Sequence, residues 1–264
     1  VDNNGRMNKP MIPKVIWQTH EYEKENLPLY MQAAIGTWTE QNPDFVHRYI
    51  SGSERRQFIA EGFGEQAAQI YDRGENNVVK ADIWRLFVMY KHGGIYADID
   101  TYCMAPIETF MQLDGSTFIC EQLFFIENKI NTNNSVFATV PNGAEIDFIL
   151  NTFIEWANKL AVNNKLITVE DSGPRLYNEA LTLMSKSGLP STFKMRRRGF
   201  PSLSNQNVIW SYSPETSNVL TPFGSTGWND ISHRTLTKDV LDVLQQVLDN
   251  GIDIKISKRL SHHL

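Results

Sequence analysis

Two aspartates one residue apart, Asp98 and Asp100, close a stretch over residues 80–101 that reads KADIWRLFVMYKHGGIYADIDT. Carboxylates this close repel each other, and a hard divalent cation such as Mn²⁺ or Mg²⁺ relieves the repulsion. Upstream, Asp82 and Arg85 stand three apart, a spacing that shares one helix face and lets them pair or grip one ligand. Each signal alone is weak. Asp-X-Asp triplets occur in many surface turns, and a lone Asp/Arg pair is most often a structural or solvated ion pair.

The elements that must position these side chains give the combination its weight. Ile83, Phe87 and Tyr90 recur at helical spacing beside Leu86, and the pattern stops at Gly93-Gly94, where glycine takes a positive φ at no steric cost. Residues 95–100 then alternate at period two. That predicts a strand with Tyr96, Asp98 and Asp100 on one side and Ile95, Ala97 and Ile99 on the other. The carboxylates therefore leave the carboxyl end of a strand, where ligands collect in open α/β sheets.

From Asp82 to Asp100 the chain resembles sugar-nucleotide-dependent glycosyltransferases of the GT-A fold. It is most similar to family 32, the DXD-containing group with yeast-type initiating mannosyltransferases and bacterial capsule and lipopolysaccharide enzymes. The clostridial glucosylating toxins share a related core. The resemblance rests on Asp and Arg three apart, then Gly-Gly-Ile-Tyr, then Asp-Ile-Asp. It implies an α/β, Rossmann-like nucleotide-sugar-binding domain of GT-A type, with a mostly parallel central sheet flanked by helices. The implied activity is metal-dependent, retaining transfer from a UDP- or GDP-sugar to a hydroxyl of a glycan or glycolipid acceptor, in surface polysaccharide synthesis. Asp100 would hold the Mn²⁺ or Mg²⁺ that bridges the two phosphates. Asp98 would contact ribose and sugar hydroxyls, or the metal through water, with Tyr96 beside it on the nucleotide-sugar side. Asp82 and Arg85 would grip sugar hydroxyls, Arg85 reaching toward the phosphates as well.

Further carry-overs lie outside that run. The strand of Ile16, Trp17 and Gln18 corresponds to the one that opens the family's nucleotide-binding half, and residues at its end line the base pocket. Many members have His where Trp17 stands and Trp where His20 stands, so the pair is exchanged here. The toxin group keeps a Trp that stacks on the base, which makes Trp17 the base-stacking candidate against an equally available place in the core. Asp171 precedes Ser172-Gly173-Pro174 where the family has Thr-Gly-Pro, and it is expected either to cap the following helix or to orient a sugar. A late family segment that closes over the nucleotide points to Trp228 as a lid residue and His233 as a further metal ligand.

Length, charge and patterning limit the alternatives. The 264 residues are 41% hydrophobic, enough for one large α/β domain. The expected division is a disordered or tag-like 1–10, then a single domain over 11–264 with its nucleotide-binding half at about 11–105 and its acceptor side at about 106–264. A net charge of −5 disfavours a nucleic-acid binder. The two cysteines, Cys103 and Cys120, lack metal-ligand spacing; a disulfide between them stays open, and reduced thiols of a cytoplasmic enzyme are the expectation. No signal-like apolar core opens the chain and no apolar run of about 18 residues occurs, so any membrane association is expected to be peripheral. The basic run 194–198 reads as a solvated face or a contact for an anionic acceptor or membrane surface. Helices are expected over 27–42, 144–160 and 237–250, and strands at 45–50, 117–120, 136–138 and 208–212.

Rival chemistries fit less well. A haloacid-dehalogenase-type phosphatase needs Thr or Val where Tyr102 stands, and a glycoside hydrolase needs carboxylates about 5 to 9 Å apart across a cleft. A toxin-like effector that glycosylates a protein, and a non-catalytic sugar-nucleotide-binding protein, stay open as alternatives.

Overall fold

The computed structural model describes residues 10–122, 130–197 and 219–220. From the amino end, β1 (Val15–His20) leads through α1 (Leu29–Gln41) to β2 (Val46–Ser51) and α2 (Gly52–Phe63). Then come α3 (Glu65–Asp72), α4 (Asn77–His92), β3 (Gly94–Ala97), β4 (Tyr102–Cys103), β5 (Phe118–Gln122) and β6 (Thr132–Thr139). The rest is α5 (Ala144–Val162), α6 (Val169–Ser172), α7 (Pro174–Lys186), β7 (Lys194–Arg197) and β8 (Val219–Leu220).

Six strands form one sheet in the order β2-β1-β3-β6-β5-β7. The β1–β2, β1–β3 and β5–β7 pairs are parallel, and only β6 runs against its neighbours. The carboxyl ends of the five co-directional strands therefore share one edge with the start of β6. Period-two alternation sorts the strand side chains between two cores. Trp17, Tyr96, Phe118, Cys120 and Phe137 join the apolar positions of α4, α5 and α7 on one face. Ile16, Ile95, Ala97, Ile119, Val136 and Ala138 join Trp38 of α1 on the other.

Alpha-helix α4 is the axis of the first core, and its ends explain its limits. Asn76 caps it, its side chain accepting from the Val78 and Val79 amides at 3.0 Å. Gly93 ends it with φ 61° and Gly94 follows with φ 103°. A Cβ on Gly93 would lie 2.6 Å from the Pro141 nitrogen, and one on Gly94 2.6 Å from the Val15 carbonyl oxygen. Backbone angle and close approach both demand glycine here.

Several expectations need correction. The strand expected over 95–100 ends at Ala97, and residues 98–101 turn instead, with the Thr101 amide and hydroxyl both donating to the Asp98 carbonyl at 3.1 and 2.6 Å. An Asp at the head of a turn competes with strand pairing, and a period-two pattern cannot show where pairing stops. The basic run is not merely a solvated face, because residues 194–197 form the edge strand β7. Cys103 and Cys120 are both free and buried. The strand expected at 208–212 and the helix expected at 237–250 lie outside the described residues.

Candidate active site

Four of the chemistry-bearing side chains converge where β3 ends. Asp82 and Arg85, on the inward face of α4, are 2% and 4% exposed. The Arg85 Nη2 lies 2.9 Å from Asp82 Oδ1 and 3.0 Å from Asp98 Oδ1, so one guanidinium ties the helix to the residue after the strand. Its plane sits over the Tyr96 ring, 4.3 Å from the centroid, and the Tyr96 hydroxyl donates to Asp98 Oδ1 at 2.8 Å. Burial alone would lower the Arg85 pKa, but Asp98, Tyr96 and Asp82 outweigh it, and the group is held well above its ordinary value. The cation is permanent.

The carboxylates are strained the other way. Burial pushes Asp82 up to about 6 against the pull of Arg85, and it raises Asp98 as well. Burial and then the charge of Asp98 push Asp100 up to about 7. Two part-exposed carboxylates coupled in this way form a site that gains from a cation. Asp98 is 30% exposed at its side chain while its Oδ1 is shared by Arg85 and Tyr96. Among the described residues no group of three or more His, Cys, Asp or Glu side chains is gathered that could hold a metal ion.

Other expected residues fall elsewhere. Trp17 is a core residue: it is 7% exposed, with Phe58, Trp84 and His92 around its ring at centroid distances of 6.3, 6.4 and 5.5 Å. Its indole N–H donates to the Gly93 carbonyl at 2.9 Å, at the end of β3 opposite Asp98, which corrects the expectation of base stacking. Gln18, also expected at the nucleotide, is fully buried and uses both ends of its amide internally. Its Oε1 meets His47 Nε2 at 2.8 Å and its Nε2 donates to the Asp98 carbonyl at 3.3 Å. Asp171 caps α6 rather than α7, accepting from the Thr168 amide and hydroxyl at 2.9 and 2.7 Å, because Thr168-x-x-Asp171 forms a capping box one turn earlier. Trp228 and His233 lie outside the described residues.

Residues that sequence reasoning passed over complete the cluster. Ser172, buried at the end of α6, donates to Asp82 Oδ2 at 3.3 Å, and Asn134 of β6 donates to Asp82 Oδ1 at 3.2 Å. The carbonyls of Asn134 and Ser135 accept from Arg85 Nη1 at 2.5 Å and from the Asp98 amide at 2.7 Å. The only advance signal for Ser172 was its place in the Ser-Gly-Pro triplet; for Asn134 there was none.

Residues 28–119 match the family model described as a glycosyltransferase sugar-binding region containing a DXD motif. That stretch of 92 residues, which runs from the start of α1 into β5, is the part of the chain that resembles the family. Among the proteins this chain resembles is an uncharacterized glycosyltransferase of Acanthamoeba polyphaga mimivirus, 26% identical over 180 residues that cover 67% of each chain. The initiation-specific alpha-1,6-mannosyltransferase of Candida albicans is 28% identical over 115 residues, 42% of this chain and 29% of that protein. Inositol phosphoceramide mannosyltransferase 3 of Schizosaccharomyces pombe is 31% identical over 100 residues, 38% of this chain and 27% of that protein. The matches thus span about two thirds of the viral relative and under a third of the two yeast enzymes.

Solved structures share the fold of this chain. The PaToxG glycosyltransferase superposes with a TM-score of 0.52 at 20% identity, over 68% of this chain and 72% of that one. The UDP-bound glycosyltransferase domain of the YGT toxin gives 0.50 at 9% identity, over 71% and 80%. The architecture is the GT-A type, a mostly parallel sheet flanked by helices.

Proposed function

We propose that this glycosyltransferase moves a sugar, with retention of anomeric configuration, from a UDP- or GDP-sugar to a hydroxyl of a glycan or glycolipid acceptor, in surface polysaccharide synthesis and with Mn²⁺ or Mg²⁺. The observation that supports this above the others is the convergence of Asp82, Arg85, Tyr96 and Asp98 at the carboxyl edge of the sheet, with Asp100 beside them. The mannosyltransferase relatives favour mannose as the sugar, and the UDP held by the YGT toxin domain keeps uridine open as the base.

The residues present fit a divalent ion. Oxygen donors suit Mg²⁺ or Mn²⁺, which commonly take one or two carboxylates and fill the shell with phosphates and water. Asp98 and Asp100 would hold the ion; when bound it supplies Lewis-acid neutralisation of the departing diphosphate. Arg85, charged at all working pH values and fixed by Asp82, Asp98 and the Asn134 carbonyl, adds a preorganised positive charge at the same place. Asp82, pinned by three donors, offers sugar hydroxyls an acceptor already in position. Tyr96 holds Asp98 rather than the ligand.

In this reading residues 11–264 make one GT-A domain, with the acceptor bound by the half after about residue 105. Trp228 and His233 enter as lid residue and further metal ligand. Asp171 leaves the sugar-orienting set, since its Oδ2 serves the Thr168 capping box, and Ser172, which reaches Asp82, takes its place. Among the described residues no helix is long and apolar enough to cross a membrane, and we infer a cytoplasmic enzyme, peripheral at the inner face where a glycolipid acceptor would lie. Hydrolysis of GDP-mannose, UDP-glucose and UDP-galactose, each with Mn²⁺ and with EDTA, tests the proposal. One donor should be cleaved with metal, lose turnover in EDTA and recover it with Mn²⁺. Turnover that ignores EDTA, or no turnover of any UDP- or GDP-sugar, would overturn it.

A further inference from the structure

The basic strand β7, which the proposed mechanism leaves unused, closes one side of the sheet. In parallel pairing with β5, Lys194 stands opposite Ile119, Met195 opposite Cys120 and Arg196 opposite Glu121. Met195 packs on the first core beside Cys120, so Lys194 and Arg196 share the other face, the one on which Ile119 joins the second core. Lys194 Nζ donates to the neutral Gln112 Oε1 at 2.8 Å, which leaves its charge uncompensated. The buried Nε of Arg196 has no hydrogen-bond partner among the described residues, and Glu121, next to it in register, accepts from Asn133 Nδ2 at 2.7 Å. Burial lowers the pKa of Arg196, whereas carboxylates raise those of Arg56, Arg85 and Arg175. A guanidinium drawn out of water without a counter-charge is costly until an anion reaches it.

The place of this pair in the sheet fits an acceptor rather than the donor. Strand β7 is co-directional with β3, and Arg196 lies near its carboxyl end. Register carries its level across the sheet: Arg196 is beside Glu121, and Glu121 is beside Asn133 past the bulge between β5 and β6. Two residues on, the Ser135 carbonyl accepts from the Asp98 amide, so Arg196 is close to level with the DXD turn. Three strand spacings, about 14 Å, separate β7 from β3, which leaves room for the transferred sugar and an acceptor ring between them. We propose that Lys194 and Arg196 bind a phosphate carried by the acceptor, which is then a phosphorylated glycan or a glycolipid with a headgroup phosphate near the accepting hydroxyl. The inference rests on the reading above, in which the sugar leaves its donor at the DXD edge. Arg196 offers phosphate oxygens a planar fork and Lys194 a point charge, which exchanges the Gln112 amide for a charged oxygen.

The test measures binding with Mn²⁺ and saturating UDP or GDP, whichever the wild type holds, so that the diphosphate site is already filled. Calorimetry with mannose 6-phosphate and with mannose forms the soluble arm. Flotation on phosphatidylcholine vesicles, plain or carrying phosphatidylinositol or phosphatidylserine, forms the lipid arm. The wild type should prefer mannose 6-phosphate to mannose, or phosphatidylinositol vesicles to both other kinds, by about tenfold, and the arm that responds names the source of the phosphate. Arg196→Gln should weaken that binding about tenfold, the scale of one charge-assisted hydrogen bond, and Lys194→Gln about threefold. Arg196→Glu should abolish it, since it sets a carboxylate against the phosphate. No preference for phosphate in either arm, or equal flotation on phosphatidylserine (plain attraction to an anionic membrane) with no response in the soluble arm, would overturn the inference. So would unchanged affinity in Arg196→Gln, equal losses for mannose and mannose 6-phosphate, or loss of folding in both glutamine variants. All of these leave the donor reading intact. A wild type that binds neither nucleoside diphosphate and cleaves no nucleotide sugar overturns the donor reading and the inference with it.

Discussion

At Asp100 the demands of folding and of ligand binding oppose each other. Burial and the neighbouring Asp98 push its carboxyl up to about 7, so between the ordinary value of 3.8 and about 7 the folded chain keeps a proton that the unfolded chain releases. By linkage the metal-free protein loses stability as pH rises through that window. Asp100→Asn should therefore stabilise the fold in EDTA at pH 8 by on the order of 1 kcal/mol once part exposure is allowed for, seen as a higher melting temperature, and the gain should vanish near pH 4. Thermal melts of both proteins at the two pH values check this; a variant less stable at pH 8 would contradict it. Tyr96→Phe removes the hydroxyl that holds Asp98 Oδ1 and should weaken Mn²⁺-dependent nucleotide binding roughly fivefold to tenfold, with the fold unchanged. At this scale the sequence was half legible. Asp82, Arg85, Tyr96 and Asp98 could be read because helix and strand periodicity bring them together from one continuous stretch. Asn134 and Ser172 could not, because a bulge and a helix end deliver them and their residue types are common. Trp17 was ambiguous, because a strand tryptophan can face core or ligand, and only its N–H contact to Gly93 shows the direction.

Among the elements, the junction from α4 to β3 sets how Asp82 and Arg85 meet the residue after the strand. Gly94→Ala must adopt φ 103° with its Cβ 2.6 Å from the Val15 carbonyl oxygen, which lies on the neighbouring strand. Neither can relax cheaply, so the variant should lose about 2–4 kcal/mol in urea unfolding, and a loss under about 0.5 kcal/mol would contradict the geometry. The helix stop was plain in Gly93-Gly94. The end of β3 was not, because the alternation of residues 95–100 continues past the point where the Asp98 turn replaces pairing. For β6 the opposite happened: its polar beginning reads as a turn, yet residues 132 and 133 pair with β5 while Asn178 of α7, Arg85 of α4 and the Asp98 amide supply partners to the backbone of residues 132, 134 and 135.

Across the whole molecule, opposed titrations meet at one edge of the sheet. Burial pushes His20 and His47 down to about 4, so below the ordinary 6.5 the unfolded chain takes up protons that the fold refuses, and stability falls as pH drops. The raised carboxyls of Asp82 and Asp100 act with the other sign over much of that range. The metal-free protein should accordingly show a shallow pH dependence between about pH 4 and 7, and His47→Gln should tilt it toward greater stability in acid, as melts across that range would reveal. The α/β layering was legible throughout, since strands and helices alternate with short links. The reversed β6 was not, because a strand's direction within a sheet depends on partners far away in the chain. What joins these scales is the claim that the DXD edge recruits a divalent ion for a nucleotide diphosphate. Calorimetric titration of UDP and GDP into wild type and Asp100→Ala, with Mn²⁺ and with EDTA, tests that claim most directly. The account predicts Mn²⁺-dependent binding in the wild type, its loss in the variant, and no loss of melting temperature; a variant that keeps metal-dependent affinity would contradict it.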